Sequence, residues 1–70
     1  MKVNSTDLFF ATIIQNGRTL ARISMSGMTS LADIFRYISR TIDNARGLVT
    51  LQLRNYTQGW NQRRSLLLAA

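Results

Sequence analysis

The stretch LFFATIIQNGRTLARISMS, residues 8–26, decides the fold. Two apolar, β-favouring runs, Leu8 to Gln15 and Arg18 to Ser26, flank the dipeptide Asn16-Gly17. Asn-Gly between such runs is the strongest short signal for a two-residue hairpin, because a type I′ turn needs positive φ at both central residues. That turn pairs Gln15 with Arg18 and thereby sets every pair behind it. On this register Leu8/Met25, Phe10/Ile23, Thr12/Ala21 and Ile14/Thr19 share one face, the better candidate for the core. Phe9/Ser24, Ala11/Arg22, Ile13/Leu20 and Gln15/Arg18 share the other, which is not cleanly polar.

Downstream, the periodicity changes. Leu31, Ile34, Phe35, Ile38, Ile42 and Ala45 form one apolar stripe at helical spacing, so a helix is expected over Thr29 to Arg46. Ser30 is placed to cap it, with Asp33 at the third helical position where a negative charge also suits the dipole. Gly47 is placed to stop it. Leu48 to Tyr56 then alternates, with Val49, Leu51 and Leu53 on one face and Thr50, Gln52, Arg54 and Tyr56 on the other. A two-residue turn at Gln58-Gly59 returns Trp60 to Leu68 as a last strand. It pairs Val49/Leu68, Leu51/Leu66 and Leu53/Arg64 inward, and Arg54/Arg63, Gln52/Ser65 and Tyr56/Asn61 outward. Gln-Gly is a weaker turn signal than Asn-Gly, which leaves room for a longer loop. The expected fold is α+β, ββαββ, one domain over 1–70, with one helix packed on one face of a four-stranded, mostly antiparallel sheet. That element order is shared with β-grasp domains, in which the two terminal strands lie parallel in the middle. The likeness is one of order alone and implies no functional residue.

Composition removes most site chemistry. The 70 residues hold nine Lys+Arg against three Asp+Glu, a net charge of +6, and no His, Cys or Pro. Thiolate nucleophiles, disulfides, Ser-His-Asp triads and Cys/His zinc sites are therefore excluded. Asp7, Asp33 and Asp43 are scattered, and no glycine run forms a phosphate loop. The expectation is no enzyme, no cofactor and no metal. The opening MKVNSTDLFF lacks the apolar segment of a signal peptide, and no apolar run approaches the ~20 residues of a membrane span. A cytoplasmic setting without membrane contact is the expectation.

The candidate site is the sheet face that the helix leaves open. Arg18, Arg22, Arg54 and Arg63 are expected there with Phe9, Tyr56 and the amides Gln15 and Gln52. Arginine grips phosphates and rings stack on bases, so this face suits single-stranded nucleic acid or another polyanion. Eight of the nine cations are Arg, which favours forked phosphate contacts over plain solubility. The alternative use of the same face is protein assembly. Phe9, Ile13 and Leu20 would form an apolar patch for a second copy, making a homodimer, or for another protein, with an acidic one matching the charge. The bland alternative is a solvated surface. Three other features are weaker. Trp60 beside Arg63-Arg64 is placed either to stack or, more simply, to fold into the core. Arg36 and Arg40, one helical turn apart, have Asp33 and Asp43 to pair with. The apolar end Ser65 to Ala70 suits a strand buried on both faces or one that pairs in an oligomer.

Overall fold

In the computed structural model, which describes residues 2–43 and 45–68, the hairpin is β1 (Phe9–Gln15) and β2 (Arg18–Met25). Then come α1 (Leu31–Thr41), β3 (Gly47–Asn55) and β4 (Trp60–Leu68). The expected ββαββ order is present. The sheet runs β2-β1-β3-β4, and every neighbouring pair is antiparallel. A β-grasp arrangement would put the terminal strands side by side in the centre. Here the antiparallel pair β1–β3 is central and β4 is an edge.

Asn16 and Gly17 have φ of 52° and 74°, the two left-handed residues that the turn requires. Gln15 pairs Arg18 and Ile14 pairs Thr19, as expected. The register then shifts: Ile13 pairs Ala21, so Leu20 is an extra residue, a β-bulge in β2. The shift reverses the expected face of β1. Phe9, Ala11 and Ile13 lie opposite Met25, Ile23 and Ala21 and face the helix, while Phe10, Thr12 and Ile14 face the open side. The cause lies in β2, whose own alternation puts Ile23 and Met25 inside and Arg22 and Ser24 outside. A plain two-residue hairpin would set Phe9 and Ala11 opposite those polar residues. One inserted residue aligns the apolar sets of both strands.

Helix α1 closes this face. Ser30 caps it from an extended conformation, its Oγ accepting from the Asp33 N–H at 3.1 Å. The Asp33 carboxylate in turn accepts from the Thr29 hydroxyl and N–H, and meets the Arg36 guanidinium at 2.9 Å. The Thr29 hydroxyl first, then its N–H, hold the Asp33 carboxyl below its ordinary range. Ile34 and Ile38, one turn apart, are completely buried against the core strands. The helix is shorter than expected. It ends at Thr41, whose hydroxyl donates to the Tyr37 carbonyl at 2.8 Å, and Ile42 is extended but still buried. Thr41, Ile42 and Asp43 are all weak helix formers, and the core can accept Ile42 without another turn. Gly47, at φ 85°, opens β3 instead of ending the helix.

Between β3 and β4 the pairing is Asn55 with Trp60, leaving a four-residue loop from Tyr56 to Gly59. The register is two residues away from that of the tight turn. Because side-chain direction repeats every two residues, no side chain changes face. Asn55 holds the loop. It is fully buried, donates from Nδ2 to Asp7 Oδ2 at 2.9 Å, and accepts the Gln58 N–H on Oδ1 at 2.9 Å. Asp7, also buried, accepts further from the Asn4 N–H at 3.0 Å and from Gln58 Nε2 at 2.6 Å. These bonds, the Asn4 N–H foremost, hold the Asp7 carboxyl below its ordinary range against the opposing effect of burial.

Replacing Asn55 by Ala removes one of the donors to the Asp7 carboxylate and the acceptor of the Gln58 N–H, and should cost about 1–3 kcal/mol of unfolding free energy in urea. A carboxyl whose folded pKa is lowered contributes stability that is complete above its unfolded value and is lost as pH falls through the folded one. Stability should therefore be nearly flat from about pH 5 to about pH 8, since no histidine titrates there, and should fall below about pH 4. Asp7→Asn should weaken the fold at neutral pH and make the acid decline shallower, as followed by urea unfolding across pH.

Candidate nucleic-acid interface

The pairings arrange the open face in rows that cross the sheet. One row reads Arg22, Thr12, Gln52, Arg63 from β2 to β4, because Thr12 faces both Arg22 and Gln52, and Gln52 faces Arg63. Its two arginines are three strand spacings apart, about 14 Å. The next row reads Ser24, Phe10, Arg54, Asn61, and Tyr56 follows Arg54 beyond the end of β3. On the other side of the first row lie Ile14, Thr50 and Ser65.

A shallow groove of about 530 Å³ runs over this face, lined by Phe10, Thr12, Gln52, Arg54, Tyr56, Asn61 and Arg63 among others. A second depression, of about 480 Å³, adjoins it at Arg63 and is bordered by Ile14, Thr50 and Ser65. Within the groove the Arg54 guanidinium lies over the Tyr56 ring, 4.7 Å from its centroid. Tyr56 meets Phe10 edge-on at 6.4 Å and is itself 52% exposed. Arg54, Tyr56 and Phe10 thus form a preassembled series of flat groups, the guanidinium attracted by the ring quadrupole.

Among the described residues, no carboxylate shares this face. Asp7 is buried at the end of the sheet, Asp33 lies in the first turn of α1 and pairs with Arg36, and Asp43 follows the helix. Arg22, Arg54 and Arg63 form no ion pair among the described residues, since the one such pair is Arg36–Asp33. Three arginines without a counter-ion produce a positive potential that the protein itself does not neutralise.

Four of the expected site residues, Arg22, Arg54, Arg63 and Tyr56, stand on the open face, with Gln52 between them. Arg18 does not join them: it faces Gln15 at the hairpin end, among the helix-side positions. Phe9 is completely buried, packed edge-on against Trp60 at 5.7 Å, and its place on the open face is taken by Phe10. The expected apolar patch is absent from the surface. Ile13 is 0% exposed and the half-buried Leu20 packs on the core, both consequences of the bulge. Gln15 is also engaged elsewhere, its Nε2 donating to the carbonyls of Arg46 at 2.9 Å and Leu48 at 3.2 Å. Sequence reasoning missed Phe10, Thr12 and Asn61 as site residues. No local signal would have found the first two, because a plain hairpin sets Phe10 opposite Ile23 and Thr12 opposite Ala21 on the inner face, and only the bulge turns them out.

The remaining candidates resolve into structure. Trp60 packs against the core. Arg63 and Arg64 point to opposite sides, and the Arg64 guanidinium lies 4.8 Å from the Phe35 centroid on the helix side. Arg40 makes no ion pair among the described residues, whereas Arg36 has Asp33. Arg54 and Arg63 are not directly opposed, because Arg54 faces Asn61 and Arg63 faces Gln52. The apolar end is not buried on both sides: Leu68 is in the core but Leu67 is 71% exposed, and Ala69 and Ala70 lie outside the described residues.

No helix among the described residues is long and apolar enough to cross a membrane. Among them there is also no group of three or more His, Cys, Asp or Glu side chains placed to hold a metal ion. No protein-family model, curated protein or solved structure matches the chain.

A double-mutant cycle with Arg54→Ala and Tyr56→Ala should give a coupling of about 0.5–1 kcal/mol in unfolding free energy. A coupling indistinguishable from zero would mean that the two side chains act independently.

Proposed function

We propose that the protein is a small basic binding module that contacts single-stranded nucleic acid through its open sheet face. The observation that carries this reading is the coincidence on one face of Phe10 and the exposed Tyr56 with three arginines that, among the described residues, meet no carboxylate. Arg22 and Arg63, at the two ends of one row, hold phosphates. Tyr56, backed by Arg54, offers a stacking surface to an unpaired base. A duplex keeps its base faces stacked inside, so such a surface favours single strands. The role is binding and not catalysis, and the setting we assign is the cytoplasm.

A second reading draws on Leu48 and Leu67, which face each other on the open side and are 64% and 71% exposed. They would serve self-association or an acidic protein partner in place of the patch once expected of Phe9, Ile13 and Leu20. Apolar association persists at high salt, whereas phosphate binding does not.

The experiment is fluorescence anisotropy of labelled mixed-sequence oligonucleotides against salt. Two neutralised phosphates on a single strand give a log–log slope of about −1.4, so affinity should fall about sevenfold between about 50 and about 200 mM salt. Arg63→Glu should weaken binding at least tenfold. Arg40→Glu makes the same charge change on the helix side and should alter affinity less than threefold. Absence of binding at either salt, or equal losses from the two reversals, would sink the open-face reading.

A further inference from the structure

The chain holds several amides, and their fates differ. Gln15, Asn55 and Gln58 are all engaged within the protein: Gln15 on two carbonyls, Asn55 on Asp7 and the Gln58 N–H, Gln58 on Asp7 and the Lys2 carbonyl. Gln52 and Asn61 are not. Both line the groove beside the Tyr56 platform, and their side chains make no hydrogen bond among the described residues. Gln52 faces Arg63 and Asn61 faces Arg54, so the two amides are diagonal neighbours across β3 and β4, about 7–8 Å apart. That separation is within the span of one planar base.

Resting on the single-strand reading above, we propose that the groove takes one unstacked nucleobase and reads its hydrogen-bonding edge through the amides of Gln52 and Asn61. An amide presents a donor and an acceptor side by side, the pattern that base edges complement. The base lies against Tyr56, while the arginines hold its flanking phosphates. The groove is then a base-selective site and not a sequence-blind track. A purely phosphate-binding surface would need only the arginines, and a purely stacking one only the rings. Neither requires two unengaged amides between them.

The test uses short single-stranded homopolymers of A, C and U and an abasic strand of the same length, titrated by anisotropy at fixed low salt. The wild-type protein should separate its best and worst homopolymers by tenfold or more, with the abasic strand weakest. The double variants Gln52→Leu/Asn61→Leu and Gln52→Thr/Asn61→Thr should reduce that spread to within threefold and leave abasic binding unchanged. The Thr pair, well suited to strands, guards against misfolding of the Leu pair. A wild-type spread under threefold with salt-dependent binding intact would overturn this inference and leave the single-strand reading standing. A spread that survives in both double variants would assign selectivity to stacking alone and also overturn it. Failure of every strand to bind would overturn both.

Discussion

The extra residue in β2 is the constraint on which the molecule turns. Leu20 has no partner of its own in β1, and its insertion aligns Phe9, Ala11 and Ile13 with Met25, Ile23 and Ala21. Phe9, Ala11, Ile13, Ile23 and Met25 belong to the same core cluster as Ile34 and Ile38 of α1, and Ala21 packs against it. Remove the insertion and β1 would present Phe10, Thr12 and Ile14 to the helix, opposite the same inner residues of β2. The core would exchange Phe9 and Ile13 for Phe10 and Ile14 and bury a hydroxyl. The open face would lose Phe10 and gain a large apolar patch in its place. One bulge thus separates a groove lined by mixed polar and aromatic groups from a sticky surface.

The second organising feature is the division of labour among polar side chains. At one end of the sheet Asp7, Asn55 and Gln58 saturate one another and tie the β3–β4 loop to the start of the chain. Tyr56 is fastened at the same place, its N–H on the Leu8 carbonyl at 2.9 Å and Thr57 Oγ1 accepting the Leu8 N–H at 2.9 Å. The loop that carries the exposed ring is therefore anchored on both sides of it, which limits the ordering cost of stacking a ligand there. The buried amide network and the open amides of Gln52 and Asn61 use the same chemistry for opposite ends.

Charge follows the same division. The three carboxylates each have a structural position, in the buried network, at the helix cap or after the helix. None opposes the arginines of the open face. The helix side has local compensation through Arg36–Asp33, and Arg64 is drawn over Phe35. Arg22, Arg54 and Arg63 thus stand beside the flat groups with no ion pair among the described residues.

The sequence by itself determined the five elements, the type I′ turn at Asn16-Gly17, the cap at Ser30, and the faces of α1, β3 and β4. These depend on local conformational preference and on strong periodicities of 3.6 or 2, and even a two-residue register error between β3 and β4 preserved them. Arg22, Arg54, Arg63 and Tyr56 were legible for that reason. The inner face of β1 was not, because Leu8, Phe10 and Ile14 are as apolar as Phe9, Ala11 and Ile13, so the strand alone expresses no preference. Only the tertiary structure decided it, through a bulge whose benefit appears when β2, β1 and α1 pack together. The helix end, the central place of β1 and β3, and the meeting of Phe10, Gln52 and Asn61 in one groove were decided there too. Each depends on contacts between residues far apart in the chain, which local preference does not encode.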